Sequence, residues 1–232
     1  MKISVKLADL PMEIGLQHDE YRFVFAPFAS EEPPMAFAAI SPDELARAAA
    51  WYPEGGAAYA EMMELCPRVS DALLPFDRLV FHALAFEWRG RVWLLTGPSG
   101  AGKTTHYLRW KLRYGEELRL LNGDKPLLEI PPEGAITVHP SPWYGKEGMQ
   151  QYFSGPLGGI ILLEKAAENR MRRMTPREAA GCLFTQLLIT RRACALEQAL
   201  LERTPLWLLQ NRGDSAAAEL CRDTLSKELT QL

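Results

Sequence analysis

Eight consecutive residues constrain this chain more than any others. Gly97-Pro98-Ser99-Gly100-Ala101-Gly102-Lys103-Thr104 fits the pattern G-x-x-x-x-G-K-[S/T] at every position. Glycines let successive backbone N–H groups turn inward around an anion with no Cβ in the way. The apolar run 91–96 before the motif reads as a strand. The segment 104–114 after it reads as a helix closed by Gly115. A helix in that position aims the positive end of its dipole at the same anion. Lys103 is then placed to bridge the outer phosphates of a nucleoside triphosphate, and the Thr104 hydroxyl to ligate Mg²⁺. The candidate nucleotide site is therefore Gly97, Pro98, Ser99, Gly100, Ala101, Gly102, Lys103, Thr104 and Thr105.

The alternation of elements along the chain predicts an α/β or mixed α+β domain. Residues 2–7 alternate polar and apolar and read as a strand, and 21–25 as a second. Residues 31–34 read as a loop. Ser41-Pro42-Asp43-Glu44 is a helix start, with Ser41 as N-cap and Pro42 at the first helical position. A second helix over 57–74 is expected to bend or break at Pro67. Residues 79–88 and 91–96, joined by Arg89-Gly90, predict a hairpin whose second strand feeds the phosphate-binding loop. A short strand 118–121, a strand 158–163, a long helix from Pro176 to about Glu202 capped by Thr175, a strand 206–209 and a helix 216–229 complete the reading. Residues 1–75 are expected to form an N-terminal α+β lobe packed on a nucleotide-binding core of 76–232.

Asp124 follows the strand 118–121 and lies 21 positions after Lys103. A carboxylate at the end of a strand beside the loop strand can hold Mg²⁺ or accept a hydroxyl proton. Asn122-Gly123-Asp124 is also good turn chemistry. The segment from His139 to Tyr152, with its prolines, glycines and aromatics, reads as a rigid shaped loop. Within it Trp143 and Lys146 are candidate acceptor contacts, and a core anchor is the alternative for Trp143. The clusters Arg170, Arg172, Arg173 and Arg191-Arg192 read as solvated faces unless one arginine meets the transferring group.

With 26 basic and 29 acidic residues the formal charge is −3. A dedicated nucleic-acid or anionic-membrane binder should be basic. No apolar run reaches the roughly 18 residues of a membrane span, and the charged N-terminus does not look like a signal peptide. The expected location is the cytoplasm. Cys66, Cys182, Cys194 and Cys221 form no CxxC pair, so they read as reduced, buried thiols rather than a zinc site.

A strand from a hairpin, rather than from a parallel crossover, is not the common nucleotide-binding arrangement. The layout resembles the PEP carboxykinase type of phosphate-binding loop, and in particular the HPr kinase/phosphorylase family. His82 stands 15 positions before Gly97, which is the spacing in that family. The loop itself matches, and Asp124-Lys125 falls where the second acid and the basic residue of the family's Asp-Asp-Arg belong. Small bacterial HPr-kinase-like proteins carry segments close to "APSGTGKSTH", "NDDKP" and "PWSGK". Residues 97–106, 122–126 and 142–146 are similar to them, as are 159–164 and Thr175-Pro176-Arg177-Glu178-Ala179. One position departs: Gly123 stands where the family has its first acid. The HPr kinase signature segment that follows the acidic pair is also absent.

The resemblance implies a kinase with Mg²⁺ and with ATP or GTP as phosphoryl donor. Asp124 and Lys103 would be its catalytic residues, and Thr104 and Asp124 its metal ligands. His82, Trp143 and Lys146 would contact an acceptor that is a Ser-type hydroxyl on a peptide, small protein or metabolite. It also brings in homo-oligomers, which no sequence patch decides. In the kinase reading Glu129 or Glu147 is a substitute for the missing first acid. Two alternatives stand beside it. One is a weak or inactive ATP- or GTP-binding regulatory module, for which Gly123 argues. The other is PEP carboxykinase activity, for which the chain is short.

Overall fold

The computed structural model describes residues 1–145, 148, 150–183 and 193–230. The chain opens with a hairpin of β1 (Lys2–Leu7) and β2 (Leu10–Gly15), turned at Ala8 and Asp9, and β3 (Ala36–Ala38) adds in parallel to β2. The expected strand at 21–25 is instead part of a 3₁₀ helix, Arg22–Phe28. Its backbone closes locally, with Val24 N–H donating to Tyr21 O, and Pro27 has no N–H to offer a ladder. α1 (Pro42–Trp51) starts on a full capping box: Ser41 accepts from the Glu44 N–H, and Glu44 accepts from the Ser41 N–H. α2 (Gly56–Leu73) runs unbroken through Pro67, against expectation. Its face of Leu65, Cys66, Val69 and Leu73 is fully packed, and that burial outweighs the hydrogen bond the proline removes.

The rest of the chain builds one mixed nine-stranded sheet. Its strands are β4 (Arg78–Val80), β5 (Leu84–Trp88), β6 (Arg91–Thr96), β7 (Leu118–Asn122), β8 (Leu127–Glu129), β9 (Thr137–His139), β10 (Gly155–Lys165), β11 (Arg170–Arg173) and β12 (Leu206–Asn211). The expected single strand 79–88 is two strands, because 81–83 leaves the ladder to bond residues 124–126: Phe81 N–H donates to Pro126 O and Ala83 N–H to Asp124 O. β5 and β6 pair antiparallel across Arg89 and Gly90, both at positive φ. β6 and β12 lie parallel to β10 on either side of it.

Alternation along these strands sorts side chains to two faces. Leu84, Phe86 and Trp88 of β5 point with Trp93 and Leu95 of β6 toward α3 (Lys103–Tyr114) and α6 (Ser215–Leu229), where Tyr107, Trp110 and Leu225 meet them. Ala85, Val92, Leu94 and Ile160 face the other way, onto α4 (Pro176–Leu183) and α5 (Cys194–Arg203). Thr175 caps α4, accepting from the Glu178 N–H. The middle of the expected long helix, 184–192 with Arg191 and Arg192, lies outside the described residues. The N-terminal core of β1, β2 and α2 is continuous with Val80, Leu127 and Trp143.

Cys66 and Cys221 are buried thiols, and burial pushes Cys66 up to about 12. Cys182 and Cys194 are exposed, a correction to the expectation for all four. Their helices, α4 and α5, form the outer layer on their side of the sheet, so outward positions meet solvent. No helix among the described residues is long and apolar enough to cross a membrane.

Candidate active site

β6 ends at Thr96 and α3 begins at Lys103, so residues 97–102 bridge strand to helix. Gly97 sits at the foot with φ 142, where an added Cβ would lie 2.9 Å from the Leu163 carbonyl oxygen. Gly102 is the N-cap of α3 at φ 97 and brings no side-chain cap. The first turn of α3 also has no acidic residue, unlike that of α1, which carries Asp43 and Glu44. A helix start without cap or carboxylate suits an incoming anion. Pro98, Ser99 and Gly100 form an exposed rim, while Gly97 and Ala101 are buried. A cavity of about 490 Å³ opens beside them, bounded by Leu163 and Lys165 across the loop.

Lys103 donates from Nζ to the Gly97 carbonyl oxygen at 2.9 Å, folding its side chain back over the loop. Burial lowers its pKa; Asp124 works against that shift and Lys125 adds to it. Lys103 and Asp124 are thus electrostatic neighbours. Thr104 is half-buried and Thr105 exposed on the same turn.

Asp124 is held on three sides. His82 Nε2 lies 3.2 Å from Oδ1, and Lys125 Nζ donates to Oδ2 at 2.5 Å. Burial works against its charge, yet the His82 hydrogen bond and the Lys125 ammonium outweigh it and bring the carboxyl down to about 2. The backbone is fixed by Asn122, which is fully buried. Asn122 Oδ1 accepts the N–H groups of Asp124 (2.9 Å) and Lys125 (2.8 Å), and Nδ2 donates to Ser141. Ser141 Oγ in turn donates to the Lys125 carbonyl at 2.5 Å. His82 is held from behind, since the buried Thr96 hydroxyl donates to its carbonyl at 2.9 Å. Both readings of 122–124 therefore apply: it is a side-chain-closed turn, and the turn presents the carboxylate. Asn122 was visible in the sequence as turn chemistry and within the 122–126 similarity, whereas Ser141, 19 residues away, gave no local signal.

His82, Lys103 and Asp124 come together here. Trp143 does not present itself to an acceptor. Its ring is 3% exposed, its Nε1 donates to the Met62 carbonyl, and Phe25 packs edge-on against it. It is the core anchor that ties the loop to α2. Lys146 and Glu147 lie outside the described residues. His106 is buried against Trp110, and burial lowers it to about 4. Arg170, Arg172 and Arg173 pair with Glu168, Glu178 and Glu228.

Glu129 is engaged elsewhere. Its carboxylate takes Arg78 at 2.6 Å and lies 3.3 Å from His139 Nε2. Ligand atoms of Asp9, Glu129 and His139 lie within 4.8 Å of one another. Burial lowers the His139 pKa, against the pull of Asp9 and Glu129.

No family model matches the chain, and no curated protein matches it. Among solved structures, the HPr(Ser) kinase/phosphatase from Coxiella burnetii matches over 64% of this chain and 97% of its own, at 12% identity and a TM-score of 0.39.

Proposed function

We propose that this chain is an ATP-dependent phosphotransferase of the HPr-kinase-like, PEP-carboxykinase-type fold, acting on a Ser-type hydroxyl of a peptide, small protein or metabolite. The observation that carries it is the complete 97–104 motif, bridging strand to uncapped helix, with an ionised Asp124 as electrostatic neighbour of Lys103.

In this reading the triphosphate lies in the loop 97–105 against the start of α3. Lys103 leaves the Gly97 carbonyl to neutralise the outer phosphates. Thr104 and Asp124 are the residues that would hold Mg²⁺, whose chemistry is to offset charge on the triphosphate. An acid ionised at neutral pH fits such a hard cation, which keeps most of its waters. Asp124, with its pKa near 2, is a poor proton acceptor. Its part is to orient the acceptor hydroxyl and to take the proton late, which suits a loose transition state that asks for little base. His82 and Lys125 hold it in place. Residues 1–75 serve as a lobe packed on the 76–232 core, a reading supported by the apolar cluster they share. A cytoplasmic location supplies the Mg-ATP.

Gly123 favours a second reading, an ATP- or GTP-sensing module with weak or no transfer. Calorimetry separates the two when paired with a phosphorylation assay. Lys103→Ala should abolish Mg-ATP binding, while Asp124→Asn should keep most of it and lose transfer. Undiminished binding by Lys103→Ala would overturn the site; binding without transfer by the wild type would leave the sensing module.

A further inference from the structure

We propose that Ser154, His139 and Glu129 form a second reactive centre, a serine nucleophile with its base and orienting acid, open to short uncharged acyl esters. It is independent of the nucleotide site. Ser154 Oγ lies 2.8 Å from His139 Nδ1, and His139 Nε2 lies 3.3 Å from Glu129 Oε2. Glu129 ends β8, His139 ends β9, and Ser154 immediately precedes β10. The ladders Glu129↔Thr137 and Val138↔Gly155 set these positions side by side on three neighbouring strands. The nearer carboxylate, Glu129 at Nε2, favours the tautomer with its proton there, so that Nδ1 accepts the Ser154 O–H; Asp9 Oδ2 stands farther off, 4.0 Å from Nδ1.

The surroundings separate the roles. His139 is buried and Ser154 is exposed, so the base is shielded from water and the nucleophile can be reached. Arg78 grips the other oxygen of Glu129 and also donates to the Ala8 and Phe76 carbonyls, so the acid is rigidly aimed. A pocket of about 160 Å³ lies over Ser154, with Lys6, Asp9, Phe28 and Tyr152 in its wall. Tyr152 accepts at its oxygen from Gln150, which leaves its O–H to donate. It is a donor for a developing oxyanion, while the Lys6 ammonium in the same wall is engaged by Glu32 at 2.6 Å. Asp9 disfavours acyl groups that carry negative charge, and the volume limits the group to a few carbons. The same cluster holds a cation poorly. Both nitrogens of His139 have partners, and the Arg78 guanidinium, a fixed positive charge, sits on Oε1 of Glu129 and repels a cation.

In the reaction, a bond forms from Ser154 Oγ to the acyl carbon. The bond to the leaving alcohol breaks, and the Oγ proton passes through His139 Nδ1 to that alcohol. Water then attacks the acyl-serine. His139 takes the water's proton and returns it to Ser154, releasing the carboxylic acid.

A short-chain alkyl fluorophosphonate tests this directly. Its phosphorus bonds to Ser154 Oγ, fluoride leaves, and His139 takes the proton. Intact-mass and fragment-ion analysis of the full chain should show one adduct, on Ser154. It should be absent in Ser154→Ala and slowed by about 100-fold or more in His139→Gln. Hydrolysis of p-nitrophenyl acetate should be lost in Ser154→Ala. That variant removes the hydroxyl that partners the buried His139 Nδ1, so its melting temperature should fall by a few degrees while the chain still folds, which keeps the comparison valid even if His139→Gln fails to fold. No adduct, an adduct elsewhere, or equal ester hydrolysis by Ser154→Ala would overturn the proposal.

Discussion

His82 Nε2 sits 3.2 Å from the Asp124 carboxylate, although the two residues belong to different segments of the sheet. The contact exists because 81–83 runs beside 124–126 through main-chain hydrogen bonds, and because Thr96 pins the His82 carbonyl. A histidine in the segment between β4 and β5 and an acid on the turn after β7 are thereby made one unit. Removing the imidazole should loosen the carboxylate more than it weakens nucleotide binding. His82→Ala is expected to lower kcat by about tenfold and leave the affinity for Mg-ATP nearly unchanged. Steady-state kinetics beside calorimetry reads both numbers.

Asn122 gives a sharper test of the same turn. Asn122→Ala leaves two backbone N–H groups, those of Asp124 and Lys125, without their acceptor. Leaving buried donors unsatisfied costs about 1–3 kcal/mol. Urea unfolding should show a loss of that size, with transfer reduced and nucleotide affinity largely retained.

At Gly97 the prediction reverses. A methyl group there meets the Leu163 carbonyl at 2.9 Å, in a backbone conformation that L side chains avoid. Gly97→Ala should therefore displace the loop and lose Mg-ATP affinity by more than tenfold, while Gly134→Ala, at a turn with open space around it, should not. Titration of both variants with Mg-ATP measures the difference.

Acid should destabilise the fold through His106. The ordinary value is 6.5 and burial lowers the folded value to about 4. The unfolded chain therefore binds the proton first, and stability falls as pH drops from 6.5 toward 4. The full effect is about 3 kcal/mol. His106→Phe should flatten the melting temperature across that window; a pH dependence identical to the wild type's would contradict the assignment.

How much of this was legible in advance follows from range. The 97–104 loop, the Arg89-Gly90 turn, the Ser41 and Thr175 caps and the Gly115 stop are local chemistry, and each stands where its residues imply. Of the four three-residue strands, β3, β8 and β9 were not legible, because a ladder so short leaves no period to read, and β4 was seen only as the start of the longer apolar run 79–88. The 3₁₀ turn at 22–28 passed for a strand because Tyr, Phe and Val favour strands, and only Pro27 spoke against it. Residue type alone left Trp143 between acceptor contact and core anchor and gave no hint of Ser141, for one reason: their partners, Met62 and Asn122, are distant in sequence. Asp124 and His82 could be nominated, but the contact between them could not be seen.

The proposed delivery of a phosphoryl group from the 97–104 loop to a hydroxyl stands or falls on one experiment. The most direct measurement is mass spectrometry of a peptide-rich extract of the source organism after incubation with Mg-ATP, run in parallel with Lys103→Ala. A peptide, protein or metabolite should gain one phosphoryl group on a hydroxyl with the wild type alone. Identical spectra from the wild type and Lys103→Ala, with Mg-ATP bound to the wild type, would contradict it.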